Sequence, residues 1–197
     1  MRQTQSDDDQ PVQTVSFTCM SEGTVQDFRI IAANDRASMA DLPQRLSSLL
    51  RMLADDDGAY QISRLEHVLQ AATRAERDGA DDDWVVGCLL HDVGDVIAPH
   101  AHGEVAAEML RPYVRPEVSW VVQHHPIFQR YYDKSLSDEV RSQRDGFRGH
   151  EHFKSTLAFC QDWDQVSFDP AFDSLPLEHF EAALIRVFSR EPFQADS

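Results

Sequence analysis

The string Trp84-Val-Val-Gly-Cys-Leu-Leu-His-Asp, followed by Val-Gly-Asp, constrains the fold more than any other stretch of this chain. An apolar segment too short to cross a membrane runs directly into two polar side chains, His91 and Asp92. A helix built from it is apolar all round and so belongs in a protein interior. The interior then receives an imidazole and a carboxylate, which are costly there unless something pairs with them. A metal ion is a fitting partner, because neutral imidazole and carboxylate are both good ligands and one carboxylate can bridge two ions. Asp81 to Asp83 stand where carboxylates cap the start of that helix.

The surrounding pattern is helical. Leu42, Leu46, Leu49, Leu50 and Leu53 recur at spacings of three and four, and Leu65, Val68, Leu69 and Ala72 repeat the stripe over 62–77. Further helices are expected at about 103–111, 116–125, 136–143, 151–165 and 177–189, with prolines near their ends. The polar, acidic residues 1–13 read as a disordered tail. VSFTCM and DFRII, flanking Ser-Glu-Gly, read as a short extended pair or hairpin. The expected fold is therefore all-α: a helical bundle over 37–197, preceded by a tail and short extended segment over 1–36.

Charge and cysteine usage bound the partners. A net charge of −16 repels phosphate backbones and anionic lipid, so neither nucleic acid nor a membrane is an expected partner. Three scattered cysteines, Cys19, Cys88 and Cys160, argue for a reducing compartment, and no apolar segment resembles a signal peptide. A cytoplasmic protein acting on a small molecule is expected, with its oligomeric state open.

His67 lies on the apolar stripe of SRLEHVLQAA, one helix before His91-Asp92. Asp164 sits in the aromatic-rich FCQDWDQ, where Asp162 is its rival. His102 opens HGEVAAEML and His124 lies in WVVQHHPIFQ, with His100 and His125 as their respective rivals. His67, His91, Asp92 and Asp164, in that order, resemble the signature of the HD superfamily, and the bundle is accordingly expected to be an HD domain. The two further histidines resemble its dinuclear branch. That resemblance implies that Asp92 bridges two metals, that His67, His91 and Asp164 hold one, and that His102 and His124 complete the other.

Within that branch, residues 57–165 look most like the mixed-valent diiron oxygenases, which include inositol oxygenase and the dioxygenases that cleave the carbon–phosphorus bond of 1-hydroxyphosphonates. The resemblance implies two iron ions, Fe(II)/Fe(III), with O2 as co-substrate. It also places Tyr60 where relatives carry an acidic residue that closes over a vacant iron position, so Tyr60 is a lid or resting-state ligand. Relatives carry Lys or His where this chain has Asp95, a gripping Lys where it has PIFQ, and an Arg where it has Gln161.

An anionic or zwitterionic substrate would therefore rely on Asp95, His125, Arg130, Arg148, Lys154 and Gln161. Asp95 and the aromatic residues Phe128, Tyr131 and Tyr132 would suit a cationic end, as in (1-hydroxy-2-(trimethylammonio)ethyl)phosphonate, whose oxidation gives glycine betaine and phosphate. The rival activity is a dinuclear phosphohydrolase acting on a nucleotide or phosphate ester. A metal-free binding module is the third reading.

Overall fold

A computed structural model describes residues 13–55 and 59–193. The expected disordered tail lies almost wholly outside these residues, as does part of the acidic run at 55–57. The described chain falls into two compact units, one ending at Leu42 and the other beginning at Pro43. Among the described residues there is no strand.

The first unit corrects the expected hairpin. DFRII lies inside α1 (Val25–Ala40) rather than in a strand. A reciprocal capping box overrides the β-branched residues: Thr24 Oγ1 accepts from Asp27 N at 3.3 Å, and Asp27 Oδ2 accepts from Thr24 N at 2.9 Å. Asp27 also receives Ser16 N at 2.7 Å. The Thr24 hydroxyl and the Ser16 and Thr24 amides hold its carboxyl down to about 2.

The second unit is built from paired helices. After α2 (Leu42–Arg51) comes α3 (Arg64–Arg77), which starts on a second capping box between Ser63 and Glu66. It ends at Gly79, whose φ of 79° lets the Ala80 N–H reach back to Ala75 O at 3.0 Å. The chain reverses there into α4 (Asp82–Leu90), with Asp81 accepting from Trp84 N as the cap. Val86, Leu89, Leu90 and His91 are fully buried. A second pair, α5 (His102–Leu110) and α6 (Pro116–Gln129), packs as closely as α3 does on α4. α7 (Asp138–Arg141) and α8 (Phe153–Ala158) follow. A π-helical turn continues from α8 over Phe159–Asp164 and packs on α3, and α9 (Leu177–Phe188) covers α4.

Two glycines set the spacing of these pairs near the polar end of α4. A Cβ on Gly94, in the 3-10 turn Val93–Val96, would lie 2.6 Å from the Cα of His102. One on Gly103 would lie 3.0 Å from Gln123 O. The absent side chains let the turn after Asp92 touch the start of α5, and let α5 settle against α6. Gly94→Ala is expected to cost about 1–3 kcal/mol through overpacking against backbone that cannot yield. A fall in the urea midpoint without a change in slope would show it, and an unchanged midpoint would refute it.

Candidate metal centre

Four imidazoles and two carboxylates converge where α3, α4, α5, α6 and the π turn meet. Each imidazole is anchored through Nδ1 to a backbone carbonyl: His67 to Ser167 at 2.9 Å, His91 to Cys88 at 2.7 Å, His125 to Val122 at 2.6 Å and His102 to Pro99 at 3.2 Å. A carbonyl oxygen only accepts, so Nδ1 carries the proton and Nε2 presents a lone pair. The anchors thus fix tautomer and ring orientation together, as they do for metal-ligating histidines.

The Nε2 atoms face each other and the carboxylates. Those of His67 and His91 are 3.1 Å apart, and both lie 3.5–3.6 Å from Asp92 Oδ2. Asp164 Oδ1 stands 3.3 Å from His67 and 3.6 Å from His91. On the other side, His102 and His125 are 3.3 Å apart, at 3.5 and 3.2 Å from Asp92 Oδ1. Each oxygen of Asp92 therefore has its own pair of histidines.

Lone pairs pointed at lone pairs repel unless a cation sits among them. Donor atoms bound about 2.0–2.2 Å from one ion stand about 2.8–3.6 Å from one another, the range found here. Asp164 Oδ2 is also buried without a hydrogen-bond partner, a cost that a metal would remove. His67, His91 and Asp164 form one group able to hold an ion, and His91, Asp92 and His125 another. The donor set fits two metals sharing Asp92.

The electrostatics agree. Burial opposes an imidazolium at His91, but the facing charges of Asp92 and Asp164 outweigh it and raise its pKa to about 9. Burial likewise opposes ionisation of Asp92 and Asp164, yet the histidines around them hold both carboxyls below their usual range. A field that retains a proton so firmly also favours a metal cation.

One expectation is corrected. His124 turns away from the centre, donating Nδ1–H to Trp120 O at 2.8 Å and stacking on the Trp120 ring at 4.0 Å. His125 stands in its place. The reason is the helix face: Val118, Val121, Val122, His125 and Phe128 form the buried stripe of α6, and His124 is one step off it. Asp164 points inward and is buried, whereas its rival Asp162 is exposed. The π turn produces that register, its extra residue marked by Gln165 N bonding Cys160 O at 2.9 Å.

The centre opens into a cavity of 540 Å³. Tyr60, Asp95 and Arg130 line it. The Tyr60 ring packs at a tilt against Phe168, centroids 4.7 Å apart, and Phe168 stacks on the His67 ring at 4.3 Å. Asp95 is not free to meet a ligand: Arg64 bonds its Oδ2, while His102 Nδ1 lies 3.4 Å from its Oδ1. Burial and the charge of Asp92 raise its pKa.

Three residues expected to touch substrate do not line the cavity. Arg148 is exposed and pairs with Asp145 at 2.9 Å, Lys154 is exposed, and Gln161 bonds the neighbouring Asp162 at 3.1 Å. All three follow the outward faces of their segments. Of Phe128, Tyr131 and Tyr132, expected at a cationic end, Tyr132 alone lines the cavity. Phe128 is buried among Trp120, Phe147 and Phe153, and Tyr131 lies under Arg144. Sequence reading missed Arg64, Gln129, Gln165 and Phe168. Arg64 alone left a signal, three residues before His67 on the same helix face.

Comparison with known proteins finds likenesses over the segment that carries this geometry. Residues 64–152 match the HD domain, a span that includes every member of the cluster except Asp164. Two relatives sharpen the likeness. Over 81 residues the chain is 32% identical to a [1-hydroxy-2-(trimethylamino)ethyl]phosphonate dioxygenase (glycine-betaine-forming) of Leisingera caerulea, covering 36% of this chain and 41% of that protein. Over 113 residues it is 26% identical to a hydroxymethylphosphonate dioxygenase of Gimesia maris, covering 49% and 56% respectively. The chain thus spans about two fifths to just over half the length of these relatives, and it resembles HD-domain oxygenases. No described helix is long and apolar enough to cross a membrane.

His125→Ala is expected to lower bound metal by about one ion per chain, because it removes a donor from a shared site, and His124→Ala to leave it unchanged. Metal analysis after gel filtration checks this, and the reverse pattern would contradict the assignment.

Proposed function

We propose that this chain is an HD-domain diiron dioxygenase that uses O2 to cleave the carbon–phosphorus bond of a 1-hydroxyphosphonate. The observation that carries the dinuclear reading is the division of the histidines into two pairs, one on each oxygen of Asp92. The choice of oxygenation over phosphate-ester hydrolysis rests on the two phosphonate dioxygenases that the chain resembles.

In this reading His67, His91 and Asp164 would hold one iron and His102 and His125 the other, with the Asp92 carboxylate shared between the two sites. The iron pair supplies the redox chemistry and O2 activation that protein side chains lack. The chain's own residues orient and enclose. The four carbonyl-anchored imidazoles keep the centre rigid, and Asp95 braces His102 from behind. Tyr60 and Phe168 shield the His67 side of the cavity, and Tyr60 acts there as a lid. Substrate enters the 540 Å³ space and turns its hydroxyl and phosphonate oxygens to the centre.

The proposed substrate is (1-hydroxy-2-(trimethylammonio)ethyl)phosphonate, oxidised to glycine betaine and phosphate. Tyr60, Tyr132 and Phe168 offer aromatic surface to a quaternary ammonium, and Asp133 adds a carboxylate at the rim. The iron-loaded protein is expected to consume one O2 for each phosphate released from this compound, with turnover falling at least tenfold for the primary-amine analogue. Phosphate release from simple esters without O2 uptake would overturn the reading in favour of a hydrolase.

A further inference from the structure

The four imidazoles of the centre are not held equally. His67, His91 and His125 are buried, with Nδ1 anchors between 2.6 and 2.9 Å. His102 differs in both respects: its side chain is 21% exposed, and its anchor to Pro99 O is the longest, at 3.2 Å. It is also the first residue of α5, where the chain leaves the short 3-10 turn Pro99–Ala101. A ring with one long anchor and an open side can swing, and a ligand that swings holds its ion poorly.

Two charged side chains from other elements restrain it. Asp95, in the 3-10 turn Val93–Val96, places Oδ1 3.4 Å from His102 Nδ1, so the N–H that Pro99 O accepts also faces a carboxylate. Arg64 Nη1 bonds the other oxygen, Oδ2. One oxygen of Asp95 is therefore turned to the guanidinium and the other to the imidazole. The pair is mostly withdrawn from water, with the Asp95 side chain 9% exposed and that of Arg64 26%, so salt screens it less than a surface pair. A carboxylate behind a metal-ligating imidazole fixes the ring and raises its basicity. Arg64 is the first residue of α3, the helix that carries His67. It thus ties the helix of a first-site ligand to the least anchored ligand of the second site.

On the dinuclear reading proposed above, on which this rests, we infer that the two sites hold their ions by different means. Buried ligands alone retain the ion at His67, His91 and Asp164. The ion at His102 and His125 is retained through the Arg64–Asp95 pair, which positions His102. Arg64 and Asp95 are positioning residues and not ligands.

The test is anaerobic titration of the metal-free full chain with ferrous iron, followed by calorimetry and by elemental analysis after gel filtration. The wild type is expected to bind two ions in two steps. Asp95→Asn is expected to weaken the second step about ten- to a hundredfold, the usual cost of losing such a partner, and to leave the first within about twofold. His102→Ala sets the reference, because the ion left in Asp95→Asn should bind as tightly as the ion left in His102→Ala. Arg64→Gln should weaken the second step at least tenfold, and Arg64→Lys, which keeps a cation for Oδ2, should weaken it less. The two Arg64 variants decide the matter even if Asp95→Asn does not fold. An unchanged second step in Arg64→Gln, or equal losses at both steps, would overturn the inference. A wild-type chain that binds a single ion would instead sink the dinuclear reading.

Discussion

Asp92 offers one oxygen to His67 and His91 and the other to His102 and His125, and most of the second unit is arranged to keep it so. The four Nε2 lone pairs that surround it are aimed by four backbone carbonyls. A carbonyl that accepts from Nδ1–H leaves the far nitrogen free to serve as a metal donor. Buried donors of one kind facing one another cost free energy in the folded protein. That cost is tolerable where a cation offsets it, which is why the cluster argues for function more strongly than for stability. Asp164, with one oxygen engaged and the other without a partner, argues the same way.

The fold can be understood as the means of reaching that arrangement. The α3–α4 pair brings His67 beside His91, because Gly79 permits an immediate reversal. Gly94 lets the turn after Asp92 lie on the first residue of α5, and Gly103 lets α5 approach α6, so His102 and His125 meet. The π turn adds the one residue of register that points Asp164 inward and Asp162 outward. Four local backbone devices, each a few residues long, thus bring five of the ligands together.

Much of this was legible in the sequence. An apolar helix ending in His91-Asp92 announces buried ligands, and His67 lies on a stripe whose period is plainly helical. The choice between His124 and His125 was also encoded, in the valine stripe that runs through 118, 121 and 122 to 125, but adjacent histidines hide it from a reader matching motifs. The N-terminal helix was misread because β-branched residues suggested a strand, while Thr24 and Asp27 spelled out a capping box. Substrate contacts were least legible. Arg148, Lys154 and Gln161 have suitable chemistry, but only tertiary packing decides which surface a charged side chain faces. The pairing of Arg64 with Asp95, 31 residues apart, is likewise a product of folding that no local pattern reveals.

The central claim is that one carboxylate stands between two metal ions. Anomalous diffraction at the iron edge from iron-loaded crystals tests it most directly. The account predicts two peaks about 3.5–4 Å apart, flanking Asp92, one beside His67 and His91 and the other beside His102 and His125. A single peak, or a second one lying against His124, would contradict it.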